Sequence, residues 1–190
     1  MLLLVVSLHP IPALASAHDS ELTDLIDGCR SAVSGADPRP CDLLIAELEG
    51  STDAVTEPSD VEALAHALSN RSLVFVRAGD HEAARNDLDR ALALLPVTGI
   101  LLNRAYLELM DRRPAAALTD LDEILKTPQP PAIDRLARYN RALALTALGD
   151  VAGADAELRR LGEPPEISPD LAPLPPPVPG NSAATGIPDR

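Results

Sequence analysis

An Asn-Arg pair opens three related stretches of this chain: NRSLVFVRAGDHEAARNDLDRA from Asn70, NRAYLELMDRRPAAALTDLDEI from Asn103 and NRALALTALGDVAGADAELRRL from Asn140. In each, an alanine lies fourteen residues after the asparagine (Ala84, Ala117, Ala154) and a leucine four residues beyond that (Leu88, Leu121, Leu158). The copies start 33 and 37 residues apart. A fixed period in this range is the mark of a solenoid, in which identical supersecondary units stack and share one core. Aromatic residues make up only 2% of the chain while Ala and Leu dominate. Close contact of small side chains suits helix against helix, so the expected fold is all-α.

Charge is unevenly placed. Thirteen acidic and thirteen basic residues balance over 65–162, whereas 18–64 has twelve acids against Arg30 and Arg39, and the stretch from Glu163 has four against Arg190. A basic nucleic-acid footprint is absent, acidic flanks are repelled by anionic membrane surfaces, and the acids serve solubility. Of the sixteen basic residues only Lys126 is lysine, a bias that points to a GC-rich bacterial genome.

Residues 1–17 read MLLLVVSLHPIPALASA, an apolar run leading to an A-x-A cleavage site at Ala15-Ser16-Ala17. Pro10 and Pro12 break it and it is too short to span a bilayer. It reads as a signal peptide with His18 as the mature N-terminus, which implies a periplasmic or secreted protein without stable membrane insertion after cleavage. No Lys or Arg precedes the apolar run; the alternative is a retained N-terminus in a cytoplasmic protein.

Residues 18–58 form an N-terminal helical cap and linker. Leu22, Leu25, Ile26, Cys29 and Val33 make an apolar stripe at helical spacing over Ser20 to Val33, and a shorter helix is expected over Cys41 to Leu48. Cys29 and Cys41 are the only cysteines. After export into an oxidising compartment a Cys29–Cys41 disulfide is favoured, worth about 3 kcal/mol on the chain-entropy model; the alternative is two reduced thiols acting as small core residues. Ser59 and Glu62 are spaced as a capping box at the start of a long helix.

The repeats occupy 59–162, as units over 59–97, 98–131 and 132–162. Gly79 and Gly149 stop the first helices of the outer two units, Asp80 and Asp150 restart the chain, and Pro114 opens the second helix of the middle unit. The insertion TPQPP at 127–131 explains the longer second interval. Residues 163–190 contain nine prolines in 28 positions, including PLPPPVP at 173–179. This tail is expected to be disordered, with polyproline II character.

The repeats resemble the tetratricopeptide family, whose helix-turn-helix units have small residues where the helices cross and a large one four positions later. Those positions are Ala84/Leu88, Ala117/Leu121 and Ala154/Leu158, with Ser72, Ala105 and Ala142 as the small residues of the first helices. The resemblance covers about 100 residues and implies a right-handed solenoid of about three units. The sequence departs from the family pattern where an aromatic is usual: Leu68, Leu101 and Arg138 early in the first helix, and Phe75, Glu108 and Leu145 later in it. Each unit also has an arginine and, sixteen residues on, an acid (Arg71/Asp87, Arg104/Asp120, Arg141/Glu157). An ion pair across each hairpin is expected, worth about 0.2–1 kcal/mol if exposed.

Family members bind proteins or peptides on a concave face lined by the first helix of each unit. Carried over by the resemblance, the partner-binding groove consists of Ser69, Leu73, Val76 and Arg77, then Leu102, Tyr106, Leu109 and Met110, then Tyr139, Leu143 and Thr146. This lining is apolar with two tyrosines and lacks the Lys and Asn set of members that grip a C-terminal carboxylate, which points to a ligand with apolar anchors. The same stripe serves equally as core packing. No catalytic residues, cofactor or metal site is expected: His66 and His81 lack metal-ligand spacing, and phosphate loop, serine elbow and Cys–His pair are missing. The expected function is a non-catalytic protein-binding scaffold of the bacterial cell envelope. The alternatives are a structural accessory subunit of an envelope complex and a cytosolic adaptor.

Overall fold

Apolar side chains recur every three to four residues between short breaks of Gly, Pro and Asp, and a helix forms in each interval. The computed structural model describes residues 17–35, 37–50 and 57–162. Among the described residues the chain is all-helical, with eight helices and no strand. These are α1 (Ala17–Ala32), α2 (Arg39–Gly50), α3 (Pro58–Ala78), α4 (His81–Leu94), α5 (Thr98–Met110), α6 (Pro114–Leu125), α7 (Pro131–Ala147) and α8 (Val151–Leu161). None of the described helices is long and apolar enough to cross a membrane. The expected signal peptide, apart from Ala17, lies outside the described residues, as do linker residues 51–56 and the Pro-rich tail.

The breaks are chemically consistent. Asp80 caps α4, its carboxylate accepting from the Ala83 backbone N–H at 3.1 Å, and Asp150 caps α8 by accepting from Gly153 at 2.9 Å. Gly79 and Gly149 take left-handed backbone conformations, φ 79° and 84°, which glycine adopts without a Cβ penalty. In the middle unit Arg112 holds φ 56° at the same place. All three turns close with one bond five residues back: Asp80 N–H to Phe75 O at 2.9 Å, Arg113 N–H to Glu108 O at 2.8 Å and Asp150 N–H to Leu145 O at 2.9 Å. This 6→1 bond defines the turn, so the middle unit keeps the geometry without its glycine.

The capping box expected at Ser59 and Glu62 does not form. Pro58 occupies the first turn, Glu57 is the residue before it, and no side chain caps the helix. A proline there has its φ already set for the helix and no N–H to satisfy, so the cap lies at Glu57, two residues before Ser59, and Ser59 falls inside α3. The first two helices also start earlier than apolar spacing alone suggests, at Ala17 and Arg39.

Consecutive helices pair as four hairpins: α1/α2, α3/α4, α5/α6 and α7/α8. The second helix of each also touches the first helix of the next, and α3, α5 and α7 touch in sequence. Within the last three hairpins small buried residues stand where the family resemblance expects the helices to cross, Ser72 and Ala84, Ala105 and Ala117, and Ala142 and Ala154, the last two pairs each sharing a core cluster. Each pair is 12 residues apart. In the first hairpin the residues with that spacing are Cys29 and Cys41, whose Cα atoms lie 4.3 Å apart and whose sulfurs are bonded. Both are fully buried. The disulfide therefore occupies the place that alanine and serine take in the other hairpins.

A first core cluster runs from α1 to α5, a second from α5 through α6 to α7, and a small third one joins α7 to α8. Leu88 and Leu121 are fully buried, whereas Leu158 at the corresponding place is 40% exposed. Leu88 and Leu121 are each followed by another hairpin; among the described residues, nothing follows α8 to cover Leu158.

Candidate functional site

The ion pairs expected from the sixteen-residue spacing all form. Arg71 donates to both carboxylate oxygens of Asp87 at 2.7 Å, and Arg104 to both of Asp120 at 2.7 and 2.9 Å. Arg141 reaches Glu157 with one bond of 2.9 Å. The three acids are buried, with side chains only 2–4% exposed. The condition of exposure is not met for the acids, and removing one partner of a buried pair costs about 3–5 kcal/mol because the other charge is left uncompensated.

Each arginine has a second acid that the spacing did not reveal. Arg71 donates to Asp42 of α2 at 2.8 Å, Arg104 to Asp89 of α4 at 2.8 Å, and Arg141 to Asp122 of α6 at 2.7 Å. One guanidinium thus ties the two helices of its own hairpin to the preceding hairpin, a use suited to a planar fork of five donors. The hydrogen bond to Asp87 raises the Arg71 pKa above its ordinary value against the opposing effect of burial, and Asp120 does the same for Arg104. Arg71 also lies over the Phe75 ring, 5.5 Å from its centroid.

The residues assigned to a groove run along α3, α5 and α7, which lie side by side. Ser69, Val76 and Leu102 are buried; Leu73, Tyr106, Leu109, Met110, Tyr139 and Leu143 are half-buried; Arg77 and Thr146 are exposed. Ser69 accepts a hydrogen bond from Asn103 at 3.0 Å, and the Thr146 hydroxyl donates to the Ala142 carbonyl at 2.8 Å. Tyr106 and Met110 rest on the first core cluster and Leu109 on the second. Burial pushes the Tyr106 phenol above its ordinary pKa, while nearby Arg77 pulls it down by less. The stripe can offer apolar contact and two phenol groups; it brings together no acid–base pair.

A second cluster went unseen in the sequence. Glu108, at a position where the family resemblance leads one to expect tyrosine, is buried between the first two repeated units. It accepts from Arg85 Nε at 3.0 Å. Its other oxygen lies 3.1 Å from Arg113 Nε, close enough for an ion pair but off the line of a hydrogen bond. Asp111 next to it accepts from Arg85 and contacts His81 Nδ1. Burial raises the Asp111 pKa, but the bonds from His81 and Arg85 together outweigh it and hold the carboxyl below its usual range. The departure from tyrosine at this position was the one available signal. Among the described residues no group of three or more His, Cys, Asp or Glu side chains is placed to hold a metal ion.

Compared with known proteins, the chain matches no family model, no curated protein and no solved structure.

Proposed function

We propose that this chain is a non-catalytic scaffold of the bacterial cell envelope. In this reading the hairpins are tetratricopeptide-like units, stacked as a right-handed solenoid that binds a partner protein or peptide along its concave face. The observation that carries the reading is the half-buried stripe of Leu73, Tyr106, Leu109, Met110, Tyr139 and Leu143 over three successive first helices. Large apolar and tyrosine side chains held at partial exposure on rigid helices present contact area at little entropic cost. The equivalent small-residue crossings, the shared turn geometry and the repeated arginine bridges support the unit assignment. The buried Cys29–Cys41 bridge supports an oxidising compartment.

Site-specific photo-crosslinking in the producing cells tests this reading. A crosslinker at Leu143 or Tyr139 is expected to trap a defined envelope protein, while one at Thr119, exposed on α6, is not. Equal products from both faces, or none from the stripe, would refute it.

A further inference from the structure

The exposed large apolar side chains among the described residues lie on the two end hairpins: Leu43 on the first, and Leu148, Val151 and Leu158 on the last. The two bridges between repeated units share a register that the first bridge, from Arg71 to Asp42 one residue after Cys41, does not. In the shared register the acceptor stands five residues after the crossing alanine, as Asp89 and Asp122 do after Ala84 and Ala117. In α8 that position is Arg159, which is exposed and forms no ion pair among the described residues. The sign of the acceptor is reversed in the last hairpin of the described residues.

The donor register is altered at the other end. The bridging arginine immediately precedes the small crossing residue in α3, α5 and α7. Before Cys29 in α1 the residue is Gly28. A glycine inside a helix costs about 1 kcal/mol relative to alanine, and nothing within the fold requires it, since a Cβ there would meet only Pro40 Cβ at 3.8 Å. Gly28 lines an open depression of about 440 Å³ together with Asp24, Leu25, Asp37, Arg39, Pro40 and Leu43, in which Arg39 is already neutralised by its ion pair with Asp37. Asp24 lies one turn before Gly28, exposed and without an ion pair among the described residues.

From these two alterations we infer that copies of this chain stack head to tail, the last hairpin of one against the first hairpin of the next. Arg159 enters the depression that Gly28 lines and pairs with Asp24, while Leu158 and its exposed neighbours meet Leu25 and Leu43. Within the chain the bridge runs from an acid on the earlier hairpin to an arginine on the later one; at the junction the charges are exchanged. The exchange keeps the arginine-bearing helices α3, α5 and α7 of another copy off the open end, because like charges placed together cost more than either attraction returns. A head-to-tail contact of this kind joins two different surfaces, so each copy added leaves a further free end and growth does not stop at a dimer.

Sedimentation velocity on the full chain from micromolar to millimolar concentration tests the inference. The weight-average sedimentation coefficient should climb with concentration without levelling at a dimer, and added salt should reduce the climb. Arg159→Asp and Asp24→Arg should each weaken association roughly tenfold or more, and an equimolar mixture of the two variants should restore it. Both side chains are exposed, so each variant should keep the helical circular dichroism of the parent. A parent that stays monomeric, a plateau at a dimer, single variants that associate like the parent, or a mixture that remains dissociated would each overturn it.

Discussion

The first hairpin and the three that follow close the same crossing by different means. In α3/α4, α5/α6 and α7/α8 the corresponding residues are small and buried, and an arginine–acid pair clamps the hairpin beside them. In α1/α2 the crossing residues are Cys29 and Cys41, and the positions of the arginine and its acid hold Gly28 and Leu44. The covalent bond stands where the ion pair is missing. Among the described residues α1/α2 has a neighbouring hairpin on one side only, as does α7/α8, which keeps its arginine clamp. A cross-link that restricts the unfolded chain compensates for the absent clamp, whereas an interior hairpin gains from bridges to both neighbours.

Breaking an interior clamp should have the largest effect. Asp120→Ala leaves Arg104 partly buried with only Asp89 to pair with, and about 4 kcal/mol should be lost in urea unfolding. Reducing the disulfide, or Cys29→Ser with Cys41→Ser, should cost about 3 kcal/mol. That loss should be local: hydrogen exchange should quicken in α1 and α2 while α5 to α8 stay protected. Uniform quickening across all eight helices would mean that the hairpins do not differ in the way described.

A smaller change sharpens the comparison of the turns. Arg112 is the one non-glycine residue with positive φ among the described residues, and left-handed geometry costs an L-residue about 1–2 kcal/mol. Arg112→Gly should therefore raise stability by about 1 kcal/mol, since the greater freedom of glycine in the unfolded chain offsets part of the relief. Gly79→Ala should lower stability in the same assay.

The smallest effect is a pH slope. Burial in α3 holds the His66 pKa below 6.5, and Glu62 at 3.8 Å opposes this only weakly. As pH falls below 6.5 the unfolded chain takes up this proton before the folded one. Stability is then complete above that pH and declines between it and the lower folded value. The difference in unfolding free energy between the parent and His66→Leu, followed across this window, should vary with pH; a constant difference would exclude His66 as its source.

The helical hairpins, the caps at Asp80 and Asp150 and the three clamps were legible because all are local. A spacing of sixteen residues lies within one hairpin, two helices joined by a turn of two or three residues. The second partners of the arginines were not, since their separations of 29, 15 and 19 residues span linkers of different length. The shared spacing of Cys29/Cys41 and Ser72/Ala84 was present in the sequence, but its meaning depends on knowing that both pairs are crossings. Proline at position 58 overrode the Ser59 capping signal because a fixed φ outcompetes a side-chain cap at the same turn. The stripe on α3, α5 and α7 was carried over by the family resemblance, which could not separate Ser69, Val76 and Leu102, which are buried, from the half-buried members.

The central claim is that one guanidinium couples the helices of its hairpin and joins that hairpin to the one before. A double-mutant cycle in urea on Arg104 with Asp120, paired with a second cycle on Arg104 with Asp89, measures both links directly. The account predicts coupling of about 1 kcal/mol or more for Asp120 and a smaller but nonzero value for Asp89, which is the more exposed acid. Strict additivity in both cycles would contradict it.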